Sequence, residues 1–224
     1  MASLSTRIEK NLYDIKDQES SIVISGGGTP KVLYERLSRS SLDWSKTTLV
    51  LSDERWVPLM DSRRNEKMVR DVWLNKVQNP PAICSLVTDS DCFIKDEMVL
   101  VEERVKQLPV PFRWVILGMG LDGHTASLFP RKELPAEGLC CSVYLEESSE
   151  YRISLTPSIL LNSDRVVVLI SGEDKYRVYQ ESLQLLDNTK NGSTSSGLIS
   201  NGAENIPISF LWQQKKTPVE IYVC

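Results

Sequence analysis

Histidine is nearly missing from this chain: His124 is the only one among 224 residues. That scarcity argues against a Cys/His zinc centre, which draws on several imidazoles or paired thiolates. The five cysteines, Cys84, Cys92, Cys140, Cys141 and Cys224, form no CxxC pair, and their number is odd. Reduced thiols in a cytosolic protein are the expected state. There is no basic excess either: 26 Lys and Arg stand against 30 Asp and Glu, a net charge of −4. A nucleic-acid partner is therefore not expected, although a local cationic pocket for a small anion remains compatible with mild overall acidity. No apolar run is long enough to span a membrane, and the polar opening stretch MASLSTRIEKNLYDIKDQES lacks the apolar centre of a signal peptide. A soluble cytoplasmic protein, with no membrane partner, is the expectation.

What is present is an alternation of apolar strands and amphipathic helices. Leu4, Ile8, Leu12 and Ile15 recur at helical spacing. Ser21–Ser25 is β-branched and apolar and runs into three glycines, and Pro30 then opens a helix carrying Val32, Leu33 and Leu37. Further strands are expected at Thr47–Ser52, Trp114–Leu117, Arg152–Leu155, Arg165–Ser171 and Val219–Val223. Further helices are expected at Asn65–Leu74, Asp96–Leu108 and Glu173–Leu186. Strands this uniformly apolar are covered on both faces, so the pattern predicts one α/β domain over residues 1–224. Its sheet is open, mostly parallel and Rossmann-like, with helices on both sides. The Gly/Ser/Thr/Asn-rich stretch Asn188–Asn205 reads as a flexible surface insertion.

Ligands of parallel sheets bind beyond the carboxyl ends of the strands, and four unusual loops fall there. Ser25-Gly26-Gly27-Gly28-Thr29-Pro30 passes from strand to glycines to helix N-terminus, an anion cradle of backbone N–H groups; alone it could equally be a plain turn. Ser52-Asp53-Glu54-Arg55-Trp56-Val57-Pro58 offers the planar fork of Arg55 for an oxyanion; such a triplet alone is more often a surface ion pair. Gly118–Pro130 holds His124 between Gly123 and Thr125 and beside Asp122, and an imidazole is the side chain that exchanges protons near neutral pH. Ser171-Gly172-Glu173-Asp174-Lys175 puts a lysine in the first turn of a helix, where the dipole disfavours a cation unless an anion is near.

These segments resemble the glucosamine-6-phosphate isomerase/6-phosphogluconolactonase family. The most specific likeness is Leu117–Pro130, LGMGLDGHTASLFP; SGGGTP, DERWVP, Arg152-Ile-Ser-Leu-Thr-Pro157, SGEDK and Ile206-Pro-Ile208 add to it, the last similar to the family's loop before a final helix. Gly28 stands where that family usually has Ser, and Arg64-Asn65 where Ser-Asn is usual.

The resemblance implies hydrolysis of 6-phospho-D-glucono-1,5-lactone in the oxidative pentose phosphate pathway, without metal or cofactor. The partner it implies is a small-molecule sugar-phosphate lactone, bound by a monomer or small homo-oligomer. His124 would act as general base, Asp122 or Asp53 would orient it, and Arg55 would stabilise the oxyanion. Ser25, the Gly26–Gly28 backbone, Thr29, Arg152 and Lys175 would hold the phosphate. Two alternatives stay open: a glucosamine-6-phosphate deaminase, which follows its histidine with a different run from Thr125–Pro130, and a non-catalytic sugar-phosphate sensor, which generally carries an added DNA-binding segment.

Overall fold

The computed structural model describes residues 1–87, 97–130, 132–135, 137–190 and 206–224, with the backbone alone over 185–190. The chain opens with helix α1 (Ala2–Tyr13), which buries Leu4, Ile8 and Leu12. Strand β1 (Ser20–Ile24) follows, then α2 (Gly28–Leu37) and β2 (Thr47–Leu51). Next come β3 (Asp53–Arg55), α3 (Asn65–Val72), β4 (Ala82–Cys84), α4 (Glu97–Lys106) and β5 (Trp114–Gly118). The second half contains β6 (Cys140–Leu145), β7 (Glu150–Leu155), α5 (Pro157–Leu160), β8 (Val166–Ile170), α6 (Glu173–Lys190) and β9 (Val219–Val223).

Six strands form one sheet in the order β4-β2-β1-β5-β8-β9, and every pair in it is parallel. The apolar runs of the sequence are its middle: all five residues of β1 and of β8 are buried. The expected open parallel sheet is thus present. From β1 the chain builds outward through β2 and β4 on one side, then returns to lay β5, β8 and β9 on the other. Strand order therefore reverses between β1 and β5, and such a reversal opens a crevice above the carboxyl ends.

A second sheet was not expected. β3, β7 and β6 pair antiparallel in the order β3-β7-β6. Asp53–Arg55, expected as loop, is a strand held by register rather than by apolar alternation, which three charged residues cannot display. Cys140–Leu145 is buried mainly at its first residue, so it also lacks the apolar pattern of a covered strand. The helix expected to reach Leu74 ends at Val72, where Trp73 leaves helical geometry at φ −129°, and a 3-10 turn spans Leu74–Lys76. After Ile206 comes a 3-10 turn, Pro207–Leu211, and then β9 rather than a final helix. The start of the expected helix at Asp96 and most of the stretch Asn188–Asn205 lie outside the described residues, and residues 188–190 close α6. Cys84, Cys140, Cys141 and Cys224 are free thiols. Among the described residues no helix is long and apolar enough to cross a membrane.

An aromatic box braces α2 and α3. The fully buried Trp73 stacks on Tyr34 with ring centres 5.7 Å apart and meets Trp44 edge-on at 4.9 Å. Aromatic pairs of this geometry add about 0.5–1.5 kcal/mol each beyond the area they bury. Trp73→Ala should therefore cost about 3–5 kcal/mol, measured as a fall in urea midpoint at unchanged m-value. A loss below about 1 kcal/mol would show that the box is not close-packed.

Candidate active site

The crevice between β1 and β5 is occupied by the glycine loop. Gly27, at φ +101°, turns the chain from strand into α2, a backbone state that favours glycine. No side chain caps α2, so the leading N–H groups of the helix remain available to an anion. Ser25 is fixed from within the core: the Tyr34 hydroxyl accepts its N–H at 3.1 Å and donates to its carbonyl at 2.8 Å. Burial pushes the Tyr34 phenol well above its ordinary range, so this donor stays protonated. The Ser25 hydroxyl is buried and has no hydrogen-bond partner. Open space lies where a Gly28 side chain would project.

The end of β2 supplies the next group through β3. Antiparallel pairing with β7 sets Arg55 opposite Arg152 and Asp53 opposite Ser154, which places two guanidinium groups on one rim. Nη1 of Arg55 donates to the Arg63 carbonyl at 2.8 Å and to Oδ1 of Asn65 at 2.7 Å. Its Nε is buried without a hydrogen-bond partner. Among the described residues no carboxylate pairs with Arg55, whereas Nε of Arg152 is 3.1 Å from Glu150. The Asp53 carboxylate accepts from the hydroxyls of Ser127 at 2.7 Å and Ser52 at 3.1 Å.

At the end of β5 the chain doubles back tightly. Gly120 N–H donates to the His124 carbonyl at 2.8 Å, and the Thr125 hydroxyl donates to the Gly118 carbonyl at 2.8 Å. The imidazole packs against Gly120, where a Cβ would stand 2.3 Å from the ring, so any side chain there would displace it. Nδ1 of His124 is 2.5 Å from Oδ1 of Asp122, which also accepts the His124 N–H at 3.1 Å. An ionised carboxylate only accepts, so Nδ1 is the ring nitrogen that donates here, and in the neutral ring that tautomer leaves Nε2 as the acceptor. Of the two carboxylates expected to orient the ring, Asp122 touches it; the Asp53 carboxylate is engaged by serines instead. Phe129 supports the imidazole, with ring centres 4.7 Å apart.

After β8 the chain turns through Gly172, at φ +88°, and delivers Lys175 in the first turn of α6. Among the described residues no carboxylate pairs with this ammonium.

Ten of the eleven expected residues surround one cavity of about 230 Å³: Ser25, Gly26, Gly27, Gly28, Thr29, Asp53, Arg55, His124, Arg152 and Lys175. Asp122 is outside its lining. It borders an adjoining space of about 1080 Å³ that shares Gly120, His124 and Lys175 with the first. The cavity thus combines three cations, a helix N-terminus and one imidazole held by a carboxylate. That set suits a small anion with a reactive centre near the imidazole. Asn65 also lines it and was not anticipated, because nothing in a lone asparagine at a helix start announces a cavity.

Residues 1–208 match the family described as glucosamine-6-phosphate isomerases/6-phosphogluconolactonase. The chain is 31% identical to the 6-phosphogluconolactonase of Rhizobium meliloti (strain 1021) over 210 residues, which is 91% of this chain and 84% of that one. It is 30% identical to the 6-phosphogluconolactonase of Synechocystis sp. over 189 residues, 81% of this chain and 78% of that one. Among solved structures, a 6-phosphogluconolactonase from Shewanella baltica OS155 superposes with a TM-score of 0.83 at 30% identity, covering 99% of this chain and 91% of that one. A monomeric glucosamine-6-phosphate deaminase superposes with a TM-score of 0.70 at 20% identity, covering 97% of this chain and 92% of that one, a likeness of fold alone. With its strand-order reversal, its cation-lined cavity and these relatives, the chain belongs to the glucosamine-6-phosphate isomerase/6-phosphogluconolactonase family.

Proposed function

We propose that this protein hydrolyses 6-phospho-D-glucono-1,5-lactone to 6-phospho-D-gluconate, a cytoplasmic step of the oxidative pentose phosphate pathway. The observation that carries the reading is the sharing of one cavity by a carboxylate-held imidazole and a cationic, amide-lined cradle. The similarity of the chain to lactonases at 30–31% identity favours this reaction over deamination.

The phosphate is assigned to the N-terminus of α2, the Ser25 and Thr29 hydroxyls, Arg152 and Lys175. Binding it there spends affinity on holding the lactone ring near His124. Nε2 of His124 takes a proton as water adds to the lactone carbonyl. Arg55 faces the negative charge that gathers on the carbonyl oxygen. When the tetrahedral intermediate collapses, the bond from C1 to the ring oxygen breaks, and that oxygen takes the proton back from the imidazolium to become the C5 hydroxyl. Asp122 holds the ring in the required tautomer and offsets the transient positive charge.

His124→Asn should lower kcat by roughly 10²–10⁴-fold, the usual worth of a general base, with KM held within a few-fold. Activity close to wild type in a lactone-hydrolysis assay would remove His124 from this role. Lys175→Ala should raise KM roughly tenfold or more, since a hydrogen bond to a charged group contributes about 1.5–3 kcal/mol; an unchanged KM would take Lys175 out of the phosphate site. Ammonia release from glucosamine-6-phosphate, without lactone hydrolysis, would replace the whole reading with the deaminase one.

A further inference from the structure

Glu54 sits between two residues of the cavity, Asp53 and Arg55, yet is fully buried and lines no part of it. Its Oε1 accepts the N–H of Arg55 at 2.8 Å and the N–H of Asn65 at 2.8 Å. Its Oε2 accepts the N–H of Glu66 at 2.7 Å and lies 3.3 Å from Nε of Arg64. One carboxylate therefore joins the two ends of the loop that runs from β3 to α3. Those ends carry the two side chains that meet in the cavity, Arg55 and Asn65, joined at 2.7 Å.

The surroundings make this junction rigid. Arg64 is 2% exposed and donates to the carbonyls of Val57 and Val87, so the guanidinium that faces Glu54 is itself fixed. The other charged groups packed here are occupied as well. Glu66 takes Arg70 at 2.7 Å and the Ser85 hydroxyl at 2.7 Å, and its second contact with Arg64 is 3.4 Å. The negative charge of Glu54 lies at the positive end of α3, where it is stabilised. Burial pushes its carboxyl up to about 7, against the pull of the three N–H donors and Arg64. A carboxylate kept in so dry a place by three N–H donors and a facing guanidinium is costly to break.

We infer that Glu54 is a positioning residue for the reaction proposed above: it touches no substrate, and it aims the Arg55 guanidinium by gripping both the Arg55 backbone and the helix that presents Asn65. The inference rests on the lactonase reading, because Arg55 is the group that reading assigns to the developing oxyanion. A misplaced catalytic group loses rate more than affinity; the phosphate groups on α2 and α6 do not pass through Glu54, and Arg152, on β7, is held by its own carboxylate, Glu150.

The test is a cycle of Glu54→Gln, Arg55→Ala and the double variant, assayed for lactone hydrolysis with folding checked by near-UV circular dichroism. Glu54→Gln should lower kcat at least tenfold with KM within threefold, and it should lower kcat less than twofold in the Arg55→Ala background. An equal loss with and without Arg55, or a loss that appears in KM, would overturn the inference. Should Glu54→Gln fail to fold, Asn65→Ala carries the same comparison. It should lower kcat only when Arg55 is present, and kcat within twofold of wild type would overturn the proposal. Wild-type protein without lactonase activity would fell the functional reading and this inference together; active wild type with equal losses would fell this inference alone.

Discussion

The reversal of strand order between β1 and β5 is the constraint on which the site depends. Two neighbouring parallel strands send their continuations away in opposite directions, which opens a gap between their carboxyl ends. Into that gap come a glycine turn from one strand and a histidine turn from the other. Neither loop makes a site by itself. The sheet, built from β-branched residues that must be buried on both faces, sets them facing each other at fixed distance. β2 and β8, the next strands outward, then add a guanidinium and an ammonium from the two flanks.

Charge completes what geometry begins. A mildly acidic chain concentrates Arg55, Arg152 and Lys175 around one small volume, with the positive end of α2 among them. These groups repel one another unless an anion is present, so the cavity holds an unfavourable field in reserve. Of the carboxylates nearby, Glu150 meets one of these cations, Arg152, and the others are engaged elsewhere. Asp53 is engaged by two serine hydroxyls, Glu150 faces Arg152 and Arg63, and Asp122 sits on the imidazole. Among the described residues no carboxylate pairs with Arg55 or Lys175.

Much of this was legible in the residues, and the limits have physical causes. Apolar runs such as Val166–Ile170 and Ser21–Ile24 announced the parallel strands, because a strand buried on both faces has no polar positions to blur it. The glycines at 26–28 behind a buried strand, the lone His124 and the lysine in a first helical turn pointed to the candidate site, because each lies beyond a strand's carboxyl end with chemistry that suits an anion or a proton transfer. The small antiparallel sheet stayed hidden. Its β3 is Asp-Glu-Arg, and its strand character comes from pairing with β7, a contact between residues a hundred positions apart. For the same reason nothing in the sequence chose between Asp53 and Asp122 as partner of the imidazole, or gave Glu54 and Asn65 their place. The places of Glu54 and Asn65 depend on where α3 begins in space.

Tyr34 has a consequence of its own. The phenol stacks on Trp73 in the interior while its hydroxyl holds both backbone polar groups of Ser25, so the aromatic box and the glycine turn share one rigid side chain. An anion that orders the turn must also quieten the box. Order imposed at the rim would reach the interior through that one side chain, as slower amide exchange along β1 and α2.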